Sequence, residues 1–472
     1  MPRLVYVPAI LFTLNLAATA LSPLDASAGG NERLPNFVII FTDDQGYQDI
    51  GCFGSPKIKT PNLDRMAGEG MKFTDFYSAN AVCSASRAAL LTGCYPPRVS
   101  ISGVLFPRHK VGLHPDEITI ADLLKQRGYA TACIGKWHLG HKPEFLPTRQ
   151  GFDSYYGIPY SNDMTIDPTM DLADGCLLRQ GMTAERIRQE KPKRNWVPLL
   201  RGAKVIEYPV DQSTLTKRYT DEAVQFIKTN RSKPFLLYLP HTMPHIPLFA
   251  SPQFKGSSAR GLYGDTIEEI DWSTGQILET IKSLGLDEQT LVIYTSDNGP
   301  WKLPNGRGGN AEPLRGYKFQ TYEGGMRVPC IMRWPGKIPA GKTCSEIAAT
   351  IDMLPTLAKL AGTVAPSDRI IDGRDIWPLM SGTKDAKTPH DAYYYYRGTT
   401  LQAVRSGKWK LRLEKRKAEL FDLHADVSET TNLADQKPDV AGMLKQQLAT
   451  FDQQLKANQR PAGEVAAKAP EK

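Results

Sequence analysis

The sequence predicts an α/β protein: a large mixed, mostly parallel sheet between helices, followed by a smaller C-terminal antiparallel sheet with a helix. Three observations predict it. Short apolar, β-branched runs such as Asn36–Phe41, Pro234–Pro240 and Thr290–Thr295 alternate with amphipathic stretches, the pattern of buried parallel strands and crossover helices. These runs end in polar residues, where an open α/β sheet places its ligand crevice. From about residue 386 the pattern changes to short strands with tight turns.

The chain has 472 residues, 41% hydrophobic and 23% charged, enough for a large core and two or more structural units. The net charge of +8 favours an anionic substrate, but there is no nucleic-acid motif and no long basic run. Arg3, an apolar stretch over 4–21 and Ala26-Ser27-Ala28 read as a signal peptide over 1–28, cleaved near Ala28, which implies export to the periplasm or the exterior. Pro8, Thr13 and Asn15 argue against a stable membrane span. Seven cysteines without a Cys-x-x-Cys pair offer no zinc or thioredoxin-type site, and any disulfides would leave at least one cysteine over. The main domain is expected over 29–385, a smaller α+β part over 386–458 and a disordered tail over 459–472, rich in Ala, Lys, Pro and Glu.

In chain order, the first strand ends at Asp43-Asp44, two repelling carboxylates that a bound cation would relieve. A helix from Thr60 turns Leu63 and Met66 inward and is expected to pack beneath the segment that follows. That segment, Cys83–Gly93, reads as a helix capped by Ser84 or Ser86 and closed by Gly93. Cys83 would sit at its N-terminus with Arg87 on the first turn, a small anion site with a sulfur at its mouth. Asp116–Arg127 reads as a helix and Tyr129–Ile134 as a strand. In an extended segment Lys136 and His138 would then point to one side, a cation and a base suited to an anionic transition state.

Residues 151–164 read as loop and 165–209 as an insertion rimming the site. A helix over Thr216–Thr229 precedes the strand that delivers His241 and His245, either of which could face a substrate. After a helix over Ile267–Leu284, the strand Thr290–Thr295 ends at Asp297 and Asn298. With Asp43 and Asp44 they make four oxygen donors, which suit calcium or magnesium rather than zinc. Val328–Trp334 reads as a strand and Ile351–Ala361 as a helix. Four short strands, Ala392–Arg397, Leu401–Ser406, Lys408–Leu413 and Glu419–Asp422, precede a last helix over Met443–Ala457.

Five blocks stand in an order that resembles the formylglycine-dependent, arylsulfatase A-like sulfatases of the alkaline-phosphatase superfamily. They are Asp43-Asp44-Gln45-Gly46, Cys83-Ser84-Ala85-Ser86-Arg87 with Leu90-Leu91-Thr92-Gly93, Gly135-Lys136-Trp137-His138-Leu139-Gly140, Ser296-Asp297-Asn298-Gly299, and Gly316-Tyr317-Lys318 leading to Arg327. Cys94 stands where the family often has Arg. The resemblance implies an alkaline-phosphatase-like sandwich with 29–385 as the catalytic domain. It implies that Cys83 is oxidised to formylglycine (3-oxoalanine) by a formylglycine-generating enzyme. It places a calcium ion, with magnesium the alternative, on Asp43, Asp44, Asp297, Asn298 and the modified Cys83. Arg87, Lys136, His138, His245 and Lys318 become catalytic. Lys136, Ser161, His245 and Lys318 become sulfate-binding, with His245 preferred to His241. Glu323 and Arg327 become structural.

The activity so implied is hydrolysis of sulfate monoesters, from sulfated carbohydrates or aryl sulfates. One hydroxyl of the hydrated aldehyde attacks sulfur in line. The alcohol leaves with a proton from His245 or Lys318, and a covalent sulfoenzyme remains. His138 then takes the proton of the second hydroxyl as sulfate is expelled. Two other classes compete. A phosphatase on the same fold would typically use Ser or Thr with zinc and several histidines. A non-catalytic glycan binder would not need Cys83, His138, His245 and the carboxylates together.

Overall fold

The structure is a computed structural model that describes residues 1–2, 33–415 and 417–465. All but two residues of the expected leader lie outside that range. From Leu34 on, the chain forms one compact unit.

Eleven strands form the main sheet. In chain order they are β1 (Asn36–Thr42), β2 (Met71–Phe73), β3 (Ala130–Ile134), β4 (Ser154–Gly157), β5 (Leu172–Leu178), β6 (Leu199–Arg201), β7 (Lys204–Tyr208), β8 (Phe235–Pro240), β9 (Thr290–Ser296), β10 (Cys330–Arg333) and β11 (Lys342–Cys344). Their spatial order is β11-β2-β10-β9-β1-β8-β3-β4-β6-β7-β5. The central run β9-β1-β8-β3-β4 is parallel, while β10 and β6 run antiparallel to their neighbours.

The alternation of side chains along β1 divides the core. Phe37, Ile39 and Phe41 join one apolar cluster, and Val38 and Ile40 the other. The first cluster holds Leu90 and Leu91 of α2 (Cys83–Thr92), Leu123 and Leu124 of α3 (Ile120–Gln126) and Leu354 and Leu357 of α6 (Met353–Leu360). The second holds Leu63 and Met66 of α1 (Pro61–Gly68), Tyr219 and Ala223 of α4 (Leu215–Thr229) and Ile270 and Ile277 of α5 (Leu262–Ser283). Helix α1 therefore does not pack beneath Cys83. It lies on the opposite face of the sheet, because its apolar stripe is shared with α5.

Other departures have local causes. Helix α3 starts at Ile120 rather than Asp116, since Thr119 and Asp122 form a reciprocal capping box. The expected loop 151–164 contains β4, and the expected insertion 165–209 supplies β5, β6 and β7, which extend the main sheet. The expected disordered tail is ordered as far as residue 465. Arg460 pairs with Glu117 at 2.7 Å, and Gly463–Glu464 pairs antiparallel with Val111–Gly112. These partners offset a composition that otherwise favours disorder; residues 466–472 lie outside the described range.

The second sheet is antiparallel, with β12 (Tyr393–Arg397), β13 (Thr400–Ser406), β14 (Trp409–Glu414) and β15 (Lys417–Asp422) in sequence order. Helix α7 (Pro438–Ala457) packs on it through Leu444 and Leu448. Tyr77 and Tyr95 share its core with Tyr393, Tyr395 and Tyr396. A buried charge cluster joins this sheet to the rest. Glu323 accepts from Tyr77 at 2.6 Å, Tyr395 at 2.8 Å and Lys410 at 2.9 Å. Asp75 accepts from Arg327 at 2.7 Å and Arg405 at 2.6 Å. Glu429 accepts from the Glu323 backbone N–H at 2.7 Å and faces Lys410 at 2.8 Å.

No helix among the described residues is long and apolar enough to cross a membrane. All seven cysteines are free.

Candidate active site

The site lies at the carboxyl ends of β1, β3, β8 and β9, where backbone hydrogen bonds continue past the strands. Asp297 N–H donates to Thr42 O at 3.0 Å, His241 N–H to Phe41 O at 2.8 Å, and Lys136 N–H to Pro240 O at 2.7 Å. The approach is close enough to exclude side chains. A Cβ at Gly135 would lie 1.9 Å from the Pro240 oxygen, and one at Gly157 would lie 1.8 Å from the Gly135 oxygen. Gly135 also takes φ +135°, which favours glycine.

Three carboxylates and three cations meet here, all buried. Lys136 Nζ is bonded to Asp43 Oδ2. Arg87 Nη2 donates to Asp297 Oδ2 at 2.9 Å, and Nη1 to the Lys136 carbonyl at 2.9 Å. Lys318 Nζ donates to Asp44 at 2.8 Å and lies 3.7 Å from Cys83 Sγ. Asn298 Nδ2 donates to Asp44 Oδ1 at 2.7 Å. One oxygen from each of Asp43, Asp44 and Asp297 lies within 4.8 Å of the others; Asp43, Cys83 Sγ and His245 form a second such group. Two buried oxygens, Asp43 Oδ1 and Asn298 Oδ1, have no hydrogen-bond partner. Orphaned oxygens beside a carboxylate cluster fit a hard divalent cation.

The electrostatics agree. Burial pushes Asp43 up, but Lys136, His245, Arg87 and Lys318 more than offset it and hold the carboxyl well below the usual range. Asp297 is pushed up to about 7 by burial and by the charge of Asp43. A cation among these oxygens would keep all three ionised. Burial opposes the charge on Lys318, yet Asp44 holds it firmly protonated. Burial also pushes the Cys83 thiol up, despite Lys136 and Lys318. A thiol kept protonated is a poor nucleophile.

Helix α2 starts at Cys83, as expected, but neither Ser84 nor Ser86 caps it. The N-cap is Val82, without a side-chain bond. Ser84 Oγ instead accepts from Leu105 N–H at 3.0 Å, and Ser86 Oγ has no hydrogen-bond partner. Gly93 closes the helix at φ +69°, as expected. Lys136 and His138 do not lie on an extended segment, because His138 takes φ +63°. Its Nε2 reaches the Leu105 carbonyl at 2.9 Å, so this nitrogen carries the proton. Its Nδ1 is left bare, buried and without a partner. Burial, Lys136 and Arg87 push its pKa well down, so the ring is neutral.

Of the two histidines after β8, the structure brings His245 into the cluster, with Nε2 3.6 Å from Asp44. Its Nδ1 lies 2.6 Å from the Ile246 carbonyl, and Ser161 Oγ is 3.2 Å away. Burial and Lys318 push its pKa down. His241 is buried against Ser273 at 3.4 Å. Two neighbours escaped the sequence reading. Asn162 Oδ1 lies 3.0 Å from His245 Nδ1, and the Trp301 ring centroid lies 5.7 Å from that of His245. Their only sequence signal is adjacency to Ser161 and to the Asp297–Pro300 turn.

Comparison with known proteins fits this geometry. The family profile described as Sulfatase matches residues 35–363, and one described as N-sulphoglucosamine sulphohydrolase, C-terminal, matches 317–454. The chain is 42% identical over 396 residues to Arylsulfatase A of Homo sapiens, covering 80% of this chain and 74% of that protein. It is 41% identical over 407 residues to N-acetylgalactosamine-6-sulfatase of Canis lupus familiaris, covering 83% and 74%. It is 38% identical over 472 residues to Steryl-sulfatase of Mus musculus, covering 87% and 76%. Among solved structures it resembles Ps i-CgsB in complex with k-i-k-neocarrahexaose, with TM-score 0.79 and 31% identity over 89% of this chain and 93% of that one.

Proposed function

The chain belongs to the sulfatase family and is a sulfuric ester hydrolase, and from that premise we propose how its residues divide the work. Asp43, Asp44, Asp297 and Asn298 hold a divalent cation, calcium in preference to magnesium, with the modified Cys83 completing the set. Cys83, converted to formylglycine, supplies a hydrated aldehyde as nucleophile, and the cation supplies charge that favours its ionisation. Lys136, Lys318, Ser161 and His245 bind the sulfate oxygens and orient them. Arg87 holds Asp297 with Nη2 and the Lys136 segment with Nη1, which fixes the metal side and the sulfate side at one spacing.

Proton roles follow from which groups carry protons at rest. His138 Nδ1 is bare and uncharged, so it accepts a proton from the nucleophile side. Of the two candidate donors to the leaving alcohol, Lys318 is the one held protonated, whereas His245 is pushed toward neutrality. The substrate we propose is a sulfated carbohydrate. The relatives named for N-acetylgalactosamine-6-sulfatase and the neighbour bound to neocarrahexaose support that class. Export after cleavage near Ala28 rests on the leader-like residues, and conversion of Cys83 by a formylglycine-generating enzyme on the segment Cys83–Arg87.

The observation that carries this reading is the position of Cys83: a buried thiol within 4.8 Å of Asp43 and His245 ligand atoms and 3.7 Å from Lys318. Mass spectrometry of the Phe73–Arg87 tryptic peptide should find an aldehyde at Cys83, and Cys83→Ala should abolish turnover. A wholly unmodified thiol in active protein, or wild-type-like activity in Cys83→Ala, would sink it.

A further inference from the structure

A cleft of about 490 Å³ opens beside the sulfate site, within the size range of small-ligand sites. Three segments that reach the site with one residue line this cleft with residues one to three positions further on. Ser161 and Asn162 lead to Asp163, His245 leads to Ile246 and Leu248, and Trp301 leads to Leu303. Consecutive Cα atoms lie about 3.8 Å apart, so lining residues one to three positions on place the cleft next to the site.

Its charge is one-sided. Arg194, Arg260 and Arg307 line it against the single carboxylate of Asp163. Arg194 is paired with Asp163 at 3.1 Å but leaves 74% of its side chain exposed. Arg260 donates to the carbonyls of Gly306 at 2.6 Å and Gly308 at 2.8 Å. Those carbonyls flank Arg307, so the backbone that presents Arg307 is pinned from both sides. Arg307 itself is exposed and has no ion pair among the described residues. The floor is apolar, with Ile246, Leu248 and Leu303, and Leu262 at its edge stays 39% exposed. An apolar floor under guanidinium groups suits a sugar ring that carries an acidic substituent, since the planar fork matches a sulfate or carboxylate.

We propose that this cleft is a subsite for a second acidic group, sulfate or carboxylate, on the sugar next to the scissile ester. The protein is thereby specialised for multiply charged glycans. The inference rests on the sulfated-carbohydrate reading above and narrows it. In that reading the sulfate to be cut is met by Lys136 and Lys318, so arginines beyond it serve a substrate with more charge.

The test uses three probes: a monosulfated N-acetylhexosamine, a disaccharide with the same sulfate plus a uronate, and a disaccharide with the same sulfate plus a second sulfate. Turnover is compared in wild type, Arg307→Glu and Arg194→Gln at low and high salt. Binding of the same probes to Cys83→Ala, with and without Arg307→Glu, is measured by calorimetry. Arg307→Glu should lower kcat/KM and affinity about tenfold for at least one doubly charged probe and less than about twofold for the monosulfated sugar. The difference should shrink at high salt. Whichever disaccharide shows the larger effect identifies the second group as carboxylate or sulfate. Equal effects on all probes, or no preference of the wild-type site for either disaccharide in the binding measurement, overturn the subsite. Retained binding with no turnover of any sulfate ester falls instead on the catalytic reading.

Discussion

Two buried clusters in this protein hold the same inventory. At the strand ends, Asp43, Asp44 and Asp297 face Arg87, Lys136 and Lys318; beneath the second sheet, Asp75, Glu323 and Glu429 face Arg327, Arg405 and Lys410. Even their titration is alike, since burial pushes both Asp297 and Glu429 up to about 7. What separates them is completeness. Every carboxylate oxygen of the lower cluster lies against a protein donor, Glu429 Oε1 only as an ion pair 2.8 Å from Lys410 without hydrogen-bond geometry, whereas the upper one leaves Asp43 Oδ1 and Asn298 Oδ1 with neither. Burying charge is costly in either place. The lower cluster offsets that cost within the fold, and under the proposed reading part of the upper cluster's cost is met by a cation. A perturbed pKa alone would not have told the two apart.

The sharpest way to break that contrast is a pair of isosteric amides. Asp297→Asn should lower kcat/KM about a thousandfold. Its stability in excess chelator should change by less than about 1 kcal/mol, because a carboxyl near its pKa at neutral pH already resembles an amide. Glu323→Gln should cost about 3–5 kcal/mol. Burial pushes Glu323 up, but Lys410, Arg327 and Arg405 hold it well below the usual range, and the new amide would turn donors toward Tyr77 or Lys410. Its turnover below the lowered Tm should stay within about threefold. Comparable destabilisation of the two variants in urea titrations would erase the distinction.

A smaller effect comes from metal. Returning calcium to chelated protein at about a hundred times its Kd should stabilise wild type by about 2.7 kcal/mol, read as a rise in Tm. Glu323→Gln should keep that rise and Asp297→Asn should lose most of it. A wild-type Tm indifferent to calcium and magnesium would show that the upper cluster is as closed as the lower.

The smallest effect concerns His390, another internally satisfied charge. Burial pushes its pKa down, but Asp352, 2.7 Å away, more than offsets this and raises it above 6.5. The pair therefore stabilises fully below pH 6.5, and the contribution fades as pH rises through the raised folded value. His390→Gln should lose about 1–2 kcal/mol at pH 5.5 and almost nothing well above that value. A deficit constant across the range would assign the role to packing instead.

Much of this was legible in the sequence because strand ends concentrate chemistry. Asn36–Thr42 and Thr290–Ser296 are apolar on both faces, so they announced both the central sheet and the position of Asp43, Asp44 and Asp297. The edge was not legible. Leu172–Leu178 reads Leu-Ala-Asp-Gly-Cys-Leu-Leu and is exposed at Asp174, Gly175 and Leu177, without an alternating pattern, so β5 looked like part of an insertion. The same limit hid Asn162 and Trp301, whose importance is a tertiary contact with His245. It hid the tail as well, where one Arg460–Glu117 pair and a two-residue bridge override composition. Capping misled for a related reason: Ser84 was free to cap α2 locally, but the Leu105 amide had the stronger claim on it.

The contact of Gly135 with Pro240 and Gly157 has a wider meaning. Where strand ends touch main chain to main chain, the gap between the Lys136 and His245 segments is set by atomic radii, not by any side chain that could be exchanged. The interval between those segments works like a fixed gauge: a single methyl at Gly135 would force it open, and one at Gly157 would push away the Gly135 segment itself. The cleft walls carry no such constraint, because Arg194, Leu303 and Arg307 stand on loops beyond the gauge. What the protein does to a sulfate ester and which ester it accepts are therefore separately inherited, and new substrates can be acquired without retuning the chemistry.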